Sequence, residues 1–127
     1  IELLTERGAT LAVCTNKVER LSKLLLASLG LDRHFACIAG RDTFDVSKPD
    51  AGHLTQTITA AGGRRDRAIM VGDSETDIAT ARNAGVPCIA VSFGYTPVPV
   101  TQLNPDIVID HYRDFLPALD QVMRRLG

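Results

Sequence analysis

The sequence lacks three features that would each point to a broad class of protein. No apolar run approaches the ~20 residues of a membrane-spanning helix, so no membrane span is expected. Neither sign of charge dominates, because the formal net charge is −1, which excludes a strongly basic nucleic-acid module. A disordered tail is excluded as well, since 45% of the residues are hydrophobic and 23% are charged. We therefore expect a globular protein without membrane or nucleic-acid partners.

Disulfide and secretion signals are also missing. The three cysteines Cys14, Cys37 and Cys88 are an odd number and lie in apolar stretches, as is typical of reduced, buried thiols. The histidines are scattered without ligand spacing, so a zinc or haem site is not expected. The first ten residues show neither a signal peptide nor an initiator Met, which predicts a cytoplasmic chain that has been trimmed or cut upstream.

What is present is an alternation of short apolar runs with segments of helical periodicity. Strands are predicted at residues 9–14, 35–39, 68–71, 88–92 and 106–109. Helices are predicted at residues 17–29, 49–61, 76–84 and 112–126, and a Pro-rich loop at 94–104. Strands that alternate with helices are joined by right-handed crossovers into a parallel sheet. The expected fold class is α/β, a Rossmann-like doubly wound parallel sheet, in a single domain over residues 1–127.

The first predicted helix, residues 17–29, carries sequence signals for its buried face and for both of its ends. Its apolar residues at helical spacing predict one buried face, formed by Val18, Leu21, Leu25 and Leu29. Asn16 is the expected N-cap, with Glu19 three residues later reaching back as in a capping box. Gly30 is expected to end the helix.

Polar side chains follow the predicted strands at the edge where parallel sheets bind ligands. Thr15 and Asn16 lie after the first strand, where a hydroxyl and backbone N–H groups can bind an anion, although they could also merely cap a helix. Lys48 lies just before Pro49 and the second helix, where a cation is unfavourable unless an anion is nearby. A lysine is a compact charge suited to phosphate, although a solvated surface lysine would have the same sequence signature.

The segment Gly72-Asp73-Ser74-Glu75-Thr76-Asp77 is the most specific polar cluster. Gly72 allows a tight turn after a buried strand, and Asp73 and Asp77 can present two carboxylates to one crevice. Two such carboxylates repel each other unless a cation intervenes, and Mg²⁺ with substrate phosphate fits that requirement. Acidic residues are also common at helix N-termini for electrostatic reasons, so a purely structural role stays open. Together the clusters predict a site for a small phosphorylated ligand and Mg²⁺.

Three segments, LAVCTNK, SKPD and VGDSETD, resemble in order and spacing the second, third and fourth motifs of the haloacid dehalogenase-like (HAD) phosphatases. The segments GRDTF, ARNAGVP and VSFGY resemble the phosphoglycolate phosphatase branch, and the resemblance runs over nearly the whole chain. It implies a Mg²⁺-dependent phosphatase that hydrolyses a small phosphate monoester, such as phosphoglycolate, through an aspartyl-phosphate.

The resemblance also implies a role for each motif residue. Thr15 would hydrogen-bond the transferring phosphoryl group with help from the Asn16 N–H, and Lys48 would neutralise the phosphate and the attacking carboxylate. Asp73 would bind Mg²⁺, and Asp77 would support the metal directly or through water. The loop between them would be shaped by Gly72 and Ser74.

One family element has no counterpart in the sequence. HAD phosphatases carry an Asp-x-Asp motif at the end of an early strand, whose first Asp is the nucleophile and whose second is the general acid/base, and a helical cap domain follows. Neither is found, so we expect the carboxyl-terminal portion of such an enzyme, inactive by itself. The missing strand would lie between those ending at Thr15 and Asp73. These two strands are expected to close on each other, unless a second copy or the amino-terminal part fills the gap.

Two other functions fit parts of the pattern. A catalytically dead relative that acts as an interaction or regulatory protein would also lack the nucleophile. A receiver-type signalling domain uses similar residues, but there the acidic cluster precedes the Thr and the Lys-Pro, whereas here Asp73 and Asp77 follow Lys48. The order of the motifs therefore disfavours a receiver domain.

Overall fold

The chain divides into two compact units, Ile1–Arg65 and Asp66–Gly127. In the computed structural model, Leu4, residues 8–92 and residues 105–126 are described, apart from the side chain of Tyr112. The predicted Pro-rich loop at 94–104 lies outside the described residues.

The first unit is built around a pair of parallel strands. Its elements are β1 (Leu11–Cys14), α1 (Glu19–Ser28), a 3-10 turn (Asp32–His34), β2 (Phe35–Ala39) and α2 (Ala51–Ala60). Cys14 pairs with Ala39, and the Thr15 N–H continues the ladder by donating to the Ala39 carbonyl at 3.0 Å. The parallel pairing therefore brings the segment after β1 beside the loop that begins at Gly40.

The second unit contains a three-stranded parallel sheet. Its elements are a 3-10 turn (Arg65–Arg67) at the unit boundary, β3 (Met70–Gly72), α3 (Glu75–Ala84), β4 (Cys88–Val91), β5 (Ile107–Ile109), a 3-10 turn (Tyr112–Asp114) and α4 (Phe115–Leu126). The strand order is β3-β4-β5. Ile89 and Ile109 pack with Ala118 and Val122 of α4 to form the buried core. The partly buried Phe115 and Leu119 of α4 pack against this core.

Every described strand pair is parallel, and helices α1 and α3 connect β1 to β2 and β3 to β4, which confirms the α/β class. The strands form two sheets, β1-β2 and β3-β4-β5. The expectation that the strands ending at Thr15 and Asp73 close on each other, unless a second copy or the amino-terminal part fills the gap, stays a prediction. The described part of the chain contains no helix with the length and apolar character needed to cross a membrane.

The buried face predicted for α1 is wrong. Leu21, Leu25 and Leu29 are 53%, 48% and 61% exposed, whereas Ser22 is buried. The loop after β2 approaches the start of the helix closely, because a Cβ on Gly40 would lie 2.3 Å from the Glu19 backbone nitrogen. The helix therefore packs through a line of side chains that includes the small Ser22, and the leucine face lies toward solvent.

The amino-terminal cap of α1 is also different from the prediction. The N-cap residue is Val18, whose side chain has no hydrogen-bonding group. The Glu19 N–H instead donates to Asp42 Oδ1 at 2.8 Å, from a loop 23 residues later in the chain. The Glu19 carboxylate accepts from Thr43 Oγ1 at 2.7 Å and pairs with Lys23 at 3.1 Å, so it forms no capping box with Asn16.

The second helix begins slightly later than predicted. Pro49 lies before α2 rather than in its first turn, and the Lys48–Pro49 peptide bond is cis. Asp50 is the N-cap, and its side chain accepts from the Gly52 N–H at 2.7 Å. An acidic side chain can satisfy an N–H at the helix start, which Pro49 cannot do, and this explains the later boundary.

Candidate active site

Thr15 and Asn16 lie immediately after β1, as the sequence predicts. Thr15 is half-buried, and its Oγ1 accepts from the Lys17 N–H at 3.2 Å, which folds the segment into a tight turn. That hydrogen bond uses a lone pair of the hydroxyl and leaves its proton available to an incoming acceptor. Asn16 is exposed, and its Nδ2 donates to the Lys48 carbonyl at 3.3 Å rather than capping a helix. Thr15 and Asn16 are thus presented on a turn at the carboxyl end of the strand.

Lys48 lies in the loop between β2 and α2 and is half-buried. The Asn16–Lys48 hydrogen bond brings this loop to the turn after β1. Thr15, Asn16 and Lys48, which the sequence proposes as phosphate ligands, therefore meet in the first unit. The hydrogen bond joins the Asn16 side chain to the Lys48 backbone, and a hydroxyl, amide groups and a lysine are residue types suited to an anion.

The acidic cluster begins where β3 ends in the second unit. Ser74 is the N-cap of α3, and its Oγ accepts from the Asp77 N–H at 3.3 Å. Asp77 is buried with only 8% of its surface exposed, and its Oδ2 accepts from the Asp73 N–H at 3.1 Å. Asp73 is half-buried. Asp73 in the loop and Asp77 in the first turn of α3 are therefore joined by a hydrogen bond from a backbone N–H to a carboxylate.

Gly72 is required for this arrangement. A Cβ at position 72 would lie 2.3 Å from the Asp77 Cβ and 2.6 Å from its Oδ2. Real Cβ atoms do not approach other atoms so closely, so only glycine lets the end of β3 pass this near to the first turn of α3. Gly72 thus permits the close approach to Asp77, and Ser74 caps the helix that follows, which agrees with the expectation that these two residues shape the loop.

The donor chemistry of the acidic loop fits a hard divalent cation. Carboxylate oxygens are the ligands that Mg²⁺ prefers, and it is commonly held by one or two carboxylates with water and substrate phosphate. Among the described residues, no group of three or more histidine, cysteine or acidic side chains gathers into a metal site. Asp73 and Asp77 supply carboxylate oxygens of the kind that Mg²⁺ prefers.

His53 is a residue that sequence reasoning missed. It is fully buried on α2, with Nδ1 3.0 Å from Cys14 Sγ and Nε2 2.8 Å from the Gly40 carbonyl oxygen. Its helical spacing from Thr57 could have indicated a shared buried face. Nothing in the sequence links it to Cys14, because that contact arises only when α2 packs on the strand pair.

The cysteines are free thiols, as predicted, but they differ in burial. Cys88 is buried, whereas Cys14 and Cys37 are half-buried, so the expectation that all three are buried is wrong. Burial raises the pKa of the Cys88 thiol to about 12, and the nearby Asp77 and Asp106 carboxylates add to the shift. The Cys88 N–H also donates to Asp106 Oδ2 at 2.7 Å. Cys88 is therefore a protonated, inert part of the core.

Parallel strands with polar side chains beyond the carboxyl ends of β1 and β3 are typical of doubly wound α/β proteins, a class that binds ligands at that edge of the sheet. Comparison with known families is more specific, because the profile of the haloacid dehalogenase-like hydrolases matches residues 1–91. The chain belongs to this family, and the family inferred from the motifs is confirmed.

Curated relatives are similar over most of the chain. A phosphoglycolate phosphatase from Agrobacterium fabrum is 56% identical over 119 residues, which cover 94% of this chain and 51% of the relative. One from Mesorhizobium japonicum is 57% identical over 105 residues, covering 83% and 46%. The chain thus spans about half the length of these curated relatives.

A solved structure shows the same fold. The crystal structure of a predicted phosphoglycolate phosphatase from Haemophilus somnus 129pt matches with a TM-score of 0.86 and 29% sequence identity. The match covers 93% of this chain and 53% of that protein. The HAD-like fold expected from the sequence is therefore confirmed.

Proposed function

We propose that this chain is the core portion of a Mg²⁺-dependent phosphatase that hydrolyses a small phosphate monoester of the phosphoglycolate type. The observation that carries the proposal is the meeting of Asn16 and Lys48 through a 3.3 Å hydrogen bond. It brings the second and third motif segments together in a chain that belongs to the HAD family. The names of the curated relatives support phosphoglycolate as the first substrate to test. We also propose that the protein works in the cytoplasm.

In the proposed reaction, the first unit binds the phosphoryl group. The Thr15 hydroxyl donates its available proton to a phosphoryl oxygen, and the Asn16 N–H assists from the same turn. The Lys48 ammonium stabilises the negative charge of the phosphate and of the attacking carboxylate. Donors that are held in place before the reaction contribute most to such stabilisation, because they need little reorganisation.

Asp73 and Asp77 are the residues we propose to hold Mg²⁺. When bound, the ion supplies positive charge that offsets the charge of the phosphate oxygens and orients them. Gly72 and Ser74 keep the loop in shape, through the close approach to Asp77 and the cap of α3 respectively. The Asp77 carboxylate is additionally oriented by the Asp73 N–H.

The nucleophilic Asp and the general acid/base are proposed to come from an Asp-x-Asp segment outside this sequence. We accordingly propose that the partner of the chain is that amino-terminal part, or a second copy of the chain. The 127-residue chain alone is expected to give no turnover, because formation of an aspartyl-phosphate requires the nucleophile.

The proposal can be tested with a chimera. This chain would replace the matching segment of the Agrobacterium fabrum relative, and hydrolysis of phosphoglycolate would be measured with and without Mg²⁺. We expect activity in the chimera, none in the isolated chain, and a loss of about 100-fold or more in both Lys48→Ala and Asp73→Asn. Asp45→Asn, a change at an exposed acid outside the proposed site, is the control and should retain activity.

Two results would contradict the proposal. An inactive but folded chimera would favour a non-enzymatic interaction or regulatory role. Mg²⁺-dependent turnover by the isolated chain, lost in Asp73→Asn, would show that the nucleophile lies within these 127 residues.

A further inference from the structure

His53 connects three segments of the first unit through a single buried ring. It belongs to α2, which follows Lys48 in the chain, and it contacts Cys14, which directly precedes Thr15. Its other ring nitrogen contacts Gly40, where the loop after β2 begins. The Phe44 ring meets the imidazole edge-on with a centroid distance of 5.7 Å. The ring therefore lies between the two segments that carry the proposed phosphate ligands.

The partners of His53 define its tautomer. A backbone carbonyl can only accept, so Nε2 must carry the proton that is donated to the Gly40 oxygen at 2.8 Å. In the neutral ring, Nδ1 is then an acceptor, and the Cys14 S–H is the donor to it. This neutral pair satisfies both ring nitrogens without placing a charge in a fully buried position.

We propose that His53, through its hydrogen bond with Cys14, is the positioning residue of the phosphate site. It holds the Thr15–Asn16 turn and the Lys48 loop in register. The inference rests on the proposed function, because that function assigns the phosphate to Thr15, Asn16 and Lys48. His53 itself is too buried to touch the substrate and acts through these residues.

The relative strengths of the contacts support this assignment. The direct link between the two segments, from Asn16 Nδ2 to the Lys48 carbonyl, is exposed and long at 3.3 Å. Water competes with such a contact, so it cannot by itself define the spacing of the segments. The His53 contact with Gly40 is buried and its contact with Cys14 is partly buried, and loss of the thiol would leave Nδ1 without its donor.

The test uses the 127-residue chain, ¹⁵N-labelled, with inorganic phosphate as the probe. Cys14→Ala removes the donor to Nδ1, whereas Cys14→Ser keeps a donor of similar size. Cys37→Ala is the matched control, because Cys37 is a half-buried cysteine on the neighbouring strand β2. The dissociation constant is measured from the amide shifts of Thr15 and Asn16, and the His53 tautomer from long-range ¹H–¹⁵N spectra.

We expect the wild-type ring to carry its proton on Nε2. The phosphate dissociation constant should rise about two- to tenfold in Cys14→Ala and return to within about twofold of wild type in Cys14→Ser. Cys37→Ala should bind phosphate as wild type does. Without phosphate, the Lys48 and Gly40 amide signals should move in Cys14→Ala but not in Cys14→Ser, although both residues are remote from position 14 in sequence.

The outcomes separate this inference from the proposed function. If phosphate causes no shift at Thr15 and Asn16 of the wild type, the proposed function is contradicted. The Lys48 and Gly40 signals of Cys14→Ala, measured without phosphate, then still show whether His53 positions the two segments. If Cys14→Ala lowers the thermal stability but leaves both phosphate affinity and these signals unchanged, His53 is merely structural and the inference is wrong. The inference would also be overturned if Cys14→Ser failed to restore the phosphate affinity and the Lys48 and Gly40 signals, or if the His53 ring carried its proton on Nδ1.

Discussion

At the scale of single residues, Gly72 joins the fold to the proposed metal loop. The position tolerates no Cβ, because the Asp77 Cβ and carboxylate occupy that space. The need for glycine here comes from a contact between a strand end and a helix start rather than from an unusual backbone angle. The same residue is therefore expected to affect both stability and the acidic loop.

Gly72→Ala is expected to lower the free energy of unfolding by about 1–3 kcal/mol, because the clash involves the Asp77 Cβ and cannot be relieved by a flexible chain end. Urea denaturation at pH 7 measures this. Gly63→Ala is the control, since its nearest contacts are 3.3–3.4 Å away, and should change stability by only about 0.5 kcal/mol. Equal effects of the two substitutions would contradict the assigned role of Gly72.

At the scale of elements, α1 depends on a cap from a distant loop. Asp42 accepts the Glu19 N–H, and this hydrogen bond is the main cause that lowers the pKa of the Asp42 carboxyl. Because the pKa is lower in the folded state, the ionised carboxylate stabilises the fold at pH values above its ordinary pKa of 3.8. This stabilisation is lost as the pH falls through the lower pKa of the folded state.

Asp42→Ala should accelerate amide hydrogen exchange in the first turn of α1, because the Glu19 N–H loses its acceptor. The acceleration relative to wild type should be largest near neutral pH and diminish as Asp42 becomes protonated in strong acid. Asp45→Ala, at an exposed acid of the same loop, should leave these amides unchanged. Unaltered protection in Asp42→Ala would show that the cap does not hold the helix.

The two apolar helix faces of the chain should respond differently to substitution. Leu29, the C-cap residue of α1, is 61% exposed, whereas Val122 on α4 is fully buried. Leu29→Gln is expected to change stability by about 0.5 kcal/mol or less. Val122→Ala should cost about 2 kcal/mol, because it leaves a cavity beside Ile89 and Ile109. Denaturant melts of both variants measure the difference, and a large effect of Leu29→Gln would mean that the leucine face is covered in solution.

At the scale of the whole molecule, the Cys88 thiol links stability to alkaline pH. Its pKa is raised from 9.0 to about 12 by burial, so between these values the unfolded chain loses a proton that the folded chain keeps. The thiol therefore stabilises the fold fully below pH 9 and progressively less as the pH rises toward 12.

The free energy of unfolding should fall more steeply above pH 9 in the wild type than in Cys88→Ala, by up to about 1.4 kcal/mol per pH unit. Urea melts at several pH values between 8 and about 10.5 provide the measurement. Cys37→Ala should keep more of the wild-type slope than Cys88→Ala, because Cys37 is only half-buried. Parallel curves for wild type and Cys88→Ala would contradict the burial argument.

The parallel α/β class and the positions of most elements could be predicted from the sequence, because hydrophobic periodicity is a local property. The turn after β1 and the acidic loop after β3 could be predicted for the same reason, since each follows directly from a strand end. The cap by Asp42, the exposure of Leu29 and the His53–Cys14 contact could not be predicted. Each of these depends on segments that meet only after the strands have paired.

The cap of α1 by Asp42 has a consequence for the order in which the chain acquires structure as it is made. The ribosome releases Glu19 well before Asp42, which lies 23 residues later. Until the loop after β2 has emerged from the exit tunnel, the first turn of α1 lacks its side-chain acceptor, and Thr43 cannot yet orient Glu19. The amino end of this helix is therefore completed only after β2 has been synthesised, although it comes earlier in the chain.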